Sequence, residues 1–331
     1  MRIFHVTLLK NKHPYLQSIV NWLKKYGNKV ETFDFMEMDN ASSFNIIQLN
    51  LNFVEKCLKF KPDLLLVFKG DTIFKESLEI IKKKIRPIMA VWWVDDPFCK
   101  WDNAYFMTPY GNSLRSLFVW DYFFIYDTYF LTRLKKIGVN NPYYLPNATN
   151  DEFFYKIKDP QKDDIKYYGS DLSFVGTPSR LRAQMIRNLS DFNIKIWGIP
   201  WFDPFFKSLQ VKINLDIDEV RKIHNYTKIN LNCHLPGNVN GANVRTFDIP
   251  ACGSFLLVDK CSDITNYLYK ENEEVVVYND FEDMVKKIKY YLKHDNEREQ
   301  IEANAMRRTL KQHLYKHRVA ELLQVIEGRQ Q

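Results

Sequence analysis

The sequence over residues 62–97, PDLLLVFKGDTIFKESLEIIKKKIRPIMAVWWVDDP, contains two short apolar runs separated by one amphipathic stretch. The runs at 64–68 and 88–94 are almost free of polar residues, which is typical of strands buried on both faces of a parallel sheet. Between them, residues 75–84 place apolar side chains at helical spacing. The segment therefore predicts a strand, a helix and a parallel strand in succession.

The same alternation continues in both directions along the chain. Further strands are predicted at 3–9, 30–35, 123–126, 143–145, 171–175, 194–197, 229–232, 255–258 and 274–277. A polar stretch at 156–164 interrupts the series and is interpreted as a linker. We therefore predict an α/β fold with two Rossmann-like domains, at 1–155 and 165–310, followed by a terminal segment at 311–331.

Composition narrows the class of protein. The chain has 331 residues, of which 46% are hydrophobic and 15% aromatic, so it can bury a large core and is not expected to be disordered. Its 11 glycines among 331 residues are well below the usual glycine share of about 7% of residues. This low glycine content argues against fibrous and turn-dense all-β folds. Five cysteines without a Cys-x-x-Cys pair indicate reduced thiols and no zinc site.

Targeting and charge favour a cytoplasmic protein that does not bind nucleic acid. No apolar run approaches the roughly 20 residues of a membrane-spanning helix, and the N-terminus resembles a strand rather than a signal peptide. The net charge of +7 is thinly spread. The densest basic cluster, 82–86, is interpreted as a solvated helix end. A patch that contacts an anionic membrane surface, at the inner face of a membrane, or nucleic acid is the alternative.

The first candidate site is the turn after the strand at 171–175. Gly176 permits a tight turn, and Arg180 lies in the first turn of the helix that follows. A helix N-terminus with an arginine beside it can bind phosphate. An ordinary strand-to-helix turn with solvated arginines explains the local pattern equally well.

The second candidate is the loop and short helix at 237–255, the most specific pattern in the chain. Glycines and asparagines, among them Gly241 and Asn243, precede Arg245, and Asp248 follows three residues later. Such a loop can turn its amides towards an anion, while the arginine pairs with a diphosphate and the acid accepts from a ribose diol. A capped helix with a local Arg245–Asp248 ion pair is the alternative.

The third candidate is the strand end at 91–98, which carries Asp95 and Asp96. These carboxylates could serve as a general base or bind an acceptor hydroxyl, with His13 as the reserve base. A structural role for Asp96 in an Asx-turn is nearly as well supported. A metal site is disfavoured, because no histidine or carboxylate cluster accompanies the pair.

Several segments together resemble the CgeB-like, spore-maturation group of GT-B glycosyltransferases. The segments are DLSFVGTPSRLR at 171–182, NVRTFDIPACGSFLLVD at 243–259, the tail from Glu274 with HLYKHR at 313–318, VWWVDDPF at 91–98 and LPNATNDEFF at 145–154. The resemblance implies two Rossmann-like domains facing across a cleft. It also implies a nucleotide-sugar donor on the C-terminal domain, the acceptor on the N-terminal domain, and a last helix packing back on the latter.

The resemblance also implies roles for individual residues. Those expected at the donor phosphates and the nucleobase are Gly176, Thr177, Arg180, Trp197 and Gly198, and those expected at the diphosphate and ribose are Gly241, Asn243, Arg245, Thr246 and Asp248. Related enzymes usually carry Glu at the position of Asp248, so this side chain is shorter by one methylene. No metal or other cofactor is implied.

The function predicted from sequence is a metal-independent hexosyltransferase-type glycosyltransferase. It would use a nucleotide sugar, most simply a UDP-sugar, and a cell-surface polysaccharide, glycolipid or protein acceptor. Arg180 and Arg245 would stabilise the departing diphosphate. Asp95 or Asp96 would act as base if configuration inverts, although retention is mildly favoured. The alternatives are a GT-B nucleotide-sugar epimerase or hydrolase, and a catalytically silent surface-layer maturation or binding protein.

Overall fold

The structure is a computed structural model that describes residues 1–7, 14–35, 45–98, 111–235 and 237–328. The chain forms two compact units. The first comprises Met1–Pro146 and Tyr315–Gln331, and the second comprises Asn147–Leu314. Each unit has its own parallel six-stranded sheet, so the predicted pair of Rossmann-like folds is confirmed.

The first unit alternates strands and helices as the sequence predicts. Its strands are β1 (Arg2–Thr7), β2 (Lys29–Asp34), β3 (Leu64–Phe68), β4 (Ile88–Trp93), β5 (Tyr122–Ile125) and β6 (Pro142–Tyr144). Its helices are α1 (Pro14–Lys25), α2 (Ile46–Phe60), α3 (Lys75–Ile85), α4 (Gly111–Ser116), α5 (Thr128–Lys136) and, from the end of the chain, α13 (Tyr315–Ile326). The sheet order is β2-β1-β3-β4-β5-β6.

The second unit also alternates strands and helices around a parallel sheet, but its strand order differs. Its strands are β7 (Ser170–Val175), β8 (Ile194–Gly198), β9 (Gln210–Ile213), β10 (Thr227–Asn232), β11 (Leu256–Asp259) and β12 (Val276–Tyr278), in the order β12-β11-β10-β7-β8-β9. Its helices are α6 (Lys162–Tyr168), α7 (Arg180–Arg187), α8 (Pro204–Leu209), α9 (Ile217–Tyr226), α10 (Arg245–Ala251), a π-helix (Ile264–Leu268), α11 (Phe281–Tyr291) and α12 (Asp295–Gln312).

Apolar strands form the centre of each unit. In β3 and β4, nearly every residue is buried, as expected for strands covered on both faces. The terminal helical segment is interrupted at His313, because α12 ends at Gln312 and α13 begins at Tyr315. Tyr315 packs against Tyr15 of α1, with ring centroids 5.7 Å apart, so α13 belongs to the first unit.

The division between the units lies earlier than the predicted linker at 156–164. The chain enters the second unit at Asn147, whose side-chain amide donates to the carbonyl of Ala242 at 2.8 Å. Part of the supposed linker belongs to α6, and the edge strand β9 and the helix α8 were not predicted. These elements are too short to show a clear hydrophobic periodicity in the sequence.

Each sheet contains a switch point, which lies between two neighbouring strands. From these two strands the chain continues towards opposite edges of the sheet. This point lies between β1 and β3 in the first sheet and between β7 and β10 in the second. Ligands of doubly wound sheets bind outside the carboxyl ends of strands at such points. Within the described residues, no helix has the length and apolar character needed to cross a membrane.

Candidate functional site

Two glycines bring the carboxyl ends of β7 and β8 close together. The Gly176 N–H donates to the carbonyl of Trp197 at 3.1 Å. Gly198 has φ of +109°, and a Cβ at this position would lie 3.4 Å from the backbone N and O of Gly176. The backbone conformation at Gly198 disfavours a side chain there. The strand ends are therefore lined by bare backbone.

Arg182 connects the two strand ends at the switch point of the second sheet by hydrogen bonds. Its Nε and Nη2 donate to the carbonyl of Cys233 after β10 at 3.0 and 2.8 Å, and its Nη1 donates to the carbonyl and Oγ1 of Thr177 after β7 at 2.9 and 2.8 Å. The side chain is buried. Burial, and then the nearby charge of Arg245, lower the pKa of Arg182 to about 10. Arg182 thus fixes both strand ends.

Asn232, the last residue of β10, holds the loop that precedes α10. Its Nδ2 donates to Asn243 Oδ1 at 3.0 Å and to Thr246 Oγ1 at 3.1 Å. Its Oδ1 accepts from Asn243 Nδ2 at 3.0 Å and from Arg245 Nε at 3.4 Å. Asn232 is fully buried. Its single amide group thus links Asn243, Arg245 and Thr246, three of the residues expected at the diphosphate.

His234 fixes the backbone of the same loop. Its Nε2 accepts from the Asn243 N–H at 3.0 Å, and its Nδ1 lies 2.6 Å from Asp259 Oδ1. The His234 N–H also donates to both carboxylate oxygens of Asp259. Since Nε2 must be unprotonated to accept, the hydrogen is on Nδ1 and is donated to Asp259.

His234, Asp259 and Cys261 also carry ligand-type atoms within 4.8 Å of one another, which among the described residues is the grouping that could suit a metal. Both ring nitrogens of His234 already take part in hydrogen bonds. A cation would have to displace one of them, so the geometry fits a hydrogen-bonded network better than a metal centre.

Arg245 begins α10 and is half-buried. Its charge contributes to lowering the pKa of both Arg182 and His224, after burial in each case. Two guanidinium groups thus act on the same carboxyl edge, and Asp259 partly offsets them. This edge of the second sheet is therefore suited to an anion.

Some predicted donor residues are buried. Thr246 is fully buried, and Asp248 is 2% exposed and accepts from Thr149 Oγ1 at 2.6 Å. Trp197 is also fully buried, packed against Tyr168 with ring centroids 5.7 Å apart. All three side chains are buried within the unit, and the ligand contacts expected for them stay predictions.

The remaining predicted donor residues lie near the surface or in the loop. Arg180 is exposed at the start of α7, after Ser179, which caps the helix by accepting from the Arg182 N–H at 3.2 Å. Gly241 is buried, and its carbonyl accepts from Asn238 Nδ2 at 3.5 Å.

In the first unit, the strand ends carry mostly carboxylates. Asp95, just after β4, forms an ion pair with Lys69, which follows β3. Burial raises the pKa of the neighbouring Asp71, opposed by Lys69 and reinforced by Asp95. Asp96 Oδ1 accepts from the Phe98 N–H at 2.8 Å, the contact of an Asx-turn.

Sequence reasoning missed four residues of these two edges: Lys69, Asp71, Asn232 and His234. Each lies at or within a few residues of a strand's carboxyl end, so position was the available signal. His13, the reserve base, lies outside the described residues.

Comparisons with known proteins agree with this geometry. Residues 179–324 match the family described as Glycosyl transferase-like. The chain is 24% identical to the spore protein CgeB of Bacillus subtilis over 271 residues, which are 76% of this chain and 78% of that protein. The predicted resemblance to the CgeB-like group is confirmed. The residues that match the Glycosyl transferase-like family make up most of the second unit.

Solved structures show the GT-B fold over the whole chain. Sucrose-phosphate synthase from Thermosynechococcus elongatus superposes with a TM-score of 0.73 at 10% identity, covering 99% of each chain. HepE from Anabaena, solved in complex with UDP, gives a TM-score of 0.67 at 11% identity, covering 99% of this chain and 100% of HepE. The chain therefore has the two-domain GT-B architecture that its sequence predicts.

Proposed function

We propose that the protein transfers a sugar from a nucleotide-sugar donor, with UDP as the leaving nucleotide, to an acceptor bound by the first unit. The observation that carries this proposal is the position of Arg245, which Asn232 holds at the carboxyl edge of the second sheet. The complex of HepE with UDP supports the choice of nucleotide.

The second unit offers the groups that the leaving diphosphate needs. As the bond from the anomeric carbon to the diphosphate oxygen breaks, negative charge grows on the diphosphate and must be stabilised. Arg245 supplies a guanidinium that can form two parallel hydrogen bonds to phosphate oxygens. The bare backbone at Gly176 and Gly198 allows a ligand to approach closely. These groups carry the proposed transfer without a metal ion.

We assign the acceptor, a cell-surface polysaccharide, glycolipid or protein, to the carboxyl edge of the first sheet. Asp95 and Asp71 lie there, with Lys69 pairing one carboxylate. Carboxylates accept hydrogen bonds from sugar hydroxyls. Since Asp96 is engaged in a local turn, Asp95 is the better of the two predicted candidates for acceptor contact.

Calorimetric titration with UDP, GDP, CDP and dTDP tests the donor assignment. We expect UDP to bind most tightly. If none of the four binds, the proposal is wrong.

Incubation with UDP-sugars then separates transfer from its alternatives. Transfer requires that release of UDP depend on an added acceptor. UDP released at the same rate without acceptor would favour a hydrolase or epimerase instead.

A further inference from the structure

His234 is the point at which three separate parts of the second unit meet. His234 lies two residues after the end of β10 and contacts Asp259 at the end of β11. It also accepts a hydrogen bond from the backbone N–H of Asn243, just before α10. It is 2% exposed. A polar ring buried in this way is stabilised only if its hydrogen bonds are made.

The contacts of His234 determine where α10 begins. The Asn243 N–H donates to the ring, and the Asn243 side chain forms a reciprocal amide pair with Asn232. The last residues of the loop are thus held at both backbone and side chain. Arg245 follows two residues later, so a shift of Asn243 would move the guanidinium.

We propose that His234, in its neutral Nδ1–H form, is a positioning residue that places Arg245 for the nucleotide diphosphate. This inference rests on the proposed function. Asp259 selects the tautomer by accepting from Nδ1, which leaves Nε2 free to accept from the Asn243 N–H. His234 itself does not contact the diphosphate.

The charged surroundings of the ring favour this arrangement. Asp259 is the carboxylate that faces it, and Arg182 and Arg245 act on the same edge. Cys233, Cys261 and Tyr278 are further titratable groups of this cluster, and burial raises the pKa of both Cys233 and Tyr278. With Asp259 as the hydrogen-bond partner of Nδ1, the ring orientation is set before any ligand binds.

Two substitutions of His234 test the roles of the two ring nitrogens separately. In His234→Gln, the side-chain oxygen reaches the position of Nε2 and can still accept from the Asn243 N–H. In His234→Asn, the amide reaches only the position of Nδ1 and can still donate to Asp259. The proposal predicts that UDP affinity falls roughly tenfold or more in the Asn variant, the effect of an unsatisfied amide. In the Gln variant it should stay within about threefold of the unmodified protein.

The order of the two variants decides the proposal. If the Asn variant binds UDP as well as or better than the Gln variant, the ring merely anchors to Asp259 and the proposal is wrong. If the unmodified protein binds no UDP, the proposed function itself fails, and this inference fails with it.

Nitrogen-15 NMR of the imidazole in the unmodified protein provides a readout that does not depend on the variants folding. We expect Nδ1 to carry the proton and Nε2 to be unprotonated. A proton on Nε2 would overturn the proposal.

Discussion

At the switch point of the first sheet the cation is Lys69, whereas at that of the second sheet it is Arg182. Lys69 is partly exposed and pairs with Asp95. Arg182 is buried and donates to backbone carbonyls on both sides of the switch point. The first edge also carries Asp71, while the second carries Arg245. The two parallel sheets, which differ in strand order but each contain a switch point, thus present opposite charge at their strand ends.

The comparison shows that topology selects the place of a site and side chains select its ligand. Both sheets open at a switch point. The acidic edge is suited to hydroxyl groups, and the basic edge is suited to a diphosphate. The donors of the buried arginine are satisfied by carbonyl and hydroxyl oxygens, and Asp259 partly offsets its charge.

The largest effect is expected from replacing the two cations. Arg182→Met leaves the carbonyls of Cys233 and Thr177 without their donors, so the free energy of unfolding should fall by about 3 kcal/mol. Lys69→Met breaks a partly exposed ion pair and should cost about 1 kcal/mol or less. Urea denaturation measures both. Equal losses would mean that the two cations have the same role.

The next effect concerns nucleotide affinity. Arg245→Ala should weaken UDP binding by about 100-fold, or about 3 kcal/mol, because a charge-assisted bidentate contact is lost. Arg180→Ala, which removes an exposed arginine of the same unit, should change it by about threefold or less. Calorimetric titration compares them. An equal loss in the two variants would place the diphosphate nearer α7 than the network of Asn232 suggests.

Each unit also contains a buried histidine that links stability to pH. Burial lowers the pKa of His5 in the first unit and of His224 in the second from 6.5 to about 4. The unfolded chain takes up these protons near pH 6.5 and the folded chain only near pH 4, so stability is lost as the pH falls between these values. Between pH 6.5 and 5, each histidine should cost about 2 kcal/mol.

Urea unfolding at these two pH values measures the loss. His224→Gln should make the stability of the second unit less dependent on pH, whereas His294→Gln, at an exposed position, should not. If the slope is unchanged in the first variant, His224 does not stay neutral in the folded state.

The smallest effect is expected at the acidic edge. Because burial raises the pKa of Asp71 in the folded protein, its ionised form costs stability above the ordinary carboxyl range. Asp71→Asn should therefore increase the free energy of unfolding at pH 7 by up to about 1 kcal/mol. Asp96→Asn, as control, weakens a turn and should not stabilise. A destabilised Asp71→Asn variant would show that the carboxylate is held by favourable contacts.

The fold could be predicted from sequence because apolar runs and helical spacing are local signals. The loop and helix that carry Asn243 and Arg245 could also be predicted, since glycines and asparagines precede a helix there. The long-range contacts around them could not. Arg182 contacts Cys233 across 51 positions, and His234 contacts Asp259 across 25. Such contacts depend on strand order, which local patterns do not specify.

Burial was the other property that local pattern could not provide. Asp248 follows Arg245 at helical spacing, which suggested a shared ligand. In the structure, Thr149 donates to Asp248 from the segment that enters the second unit. A carboxylate predicted for a ribose is therefore part of the interior of the unit.

Hydrogen exchange with and without UDP tests the central claim most directly, because it reports on both sheet edges in one experiment. We predict that UDP slows exchange at 232–246 and around 176–177, and leaves exchange at 69–71 and 93–96 unchanged. Protection confined to the strand ends of the first sheet would contradict the account, since it would place the nucleotide on the acidic edge rather than beside Arg245.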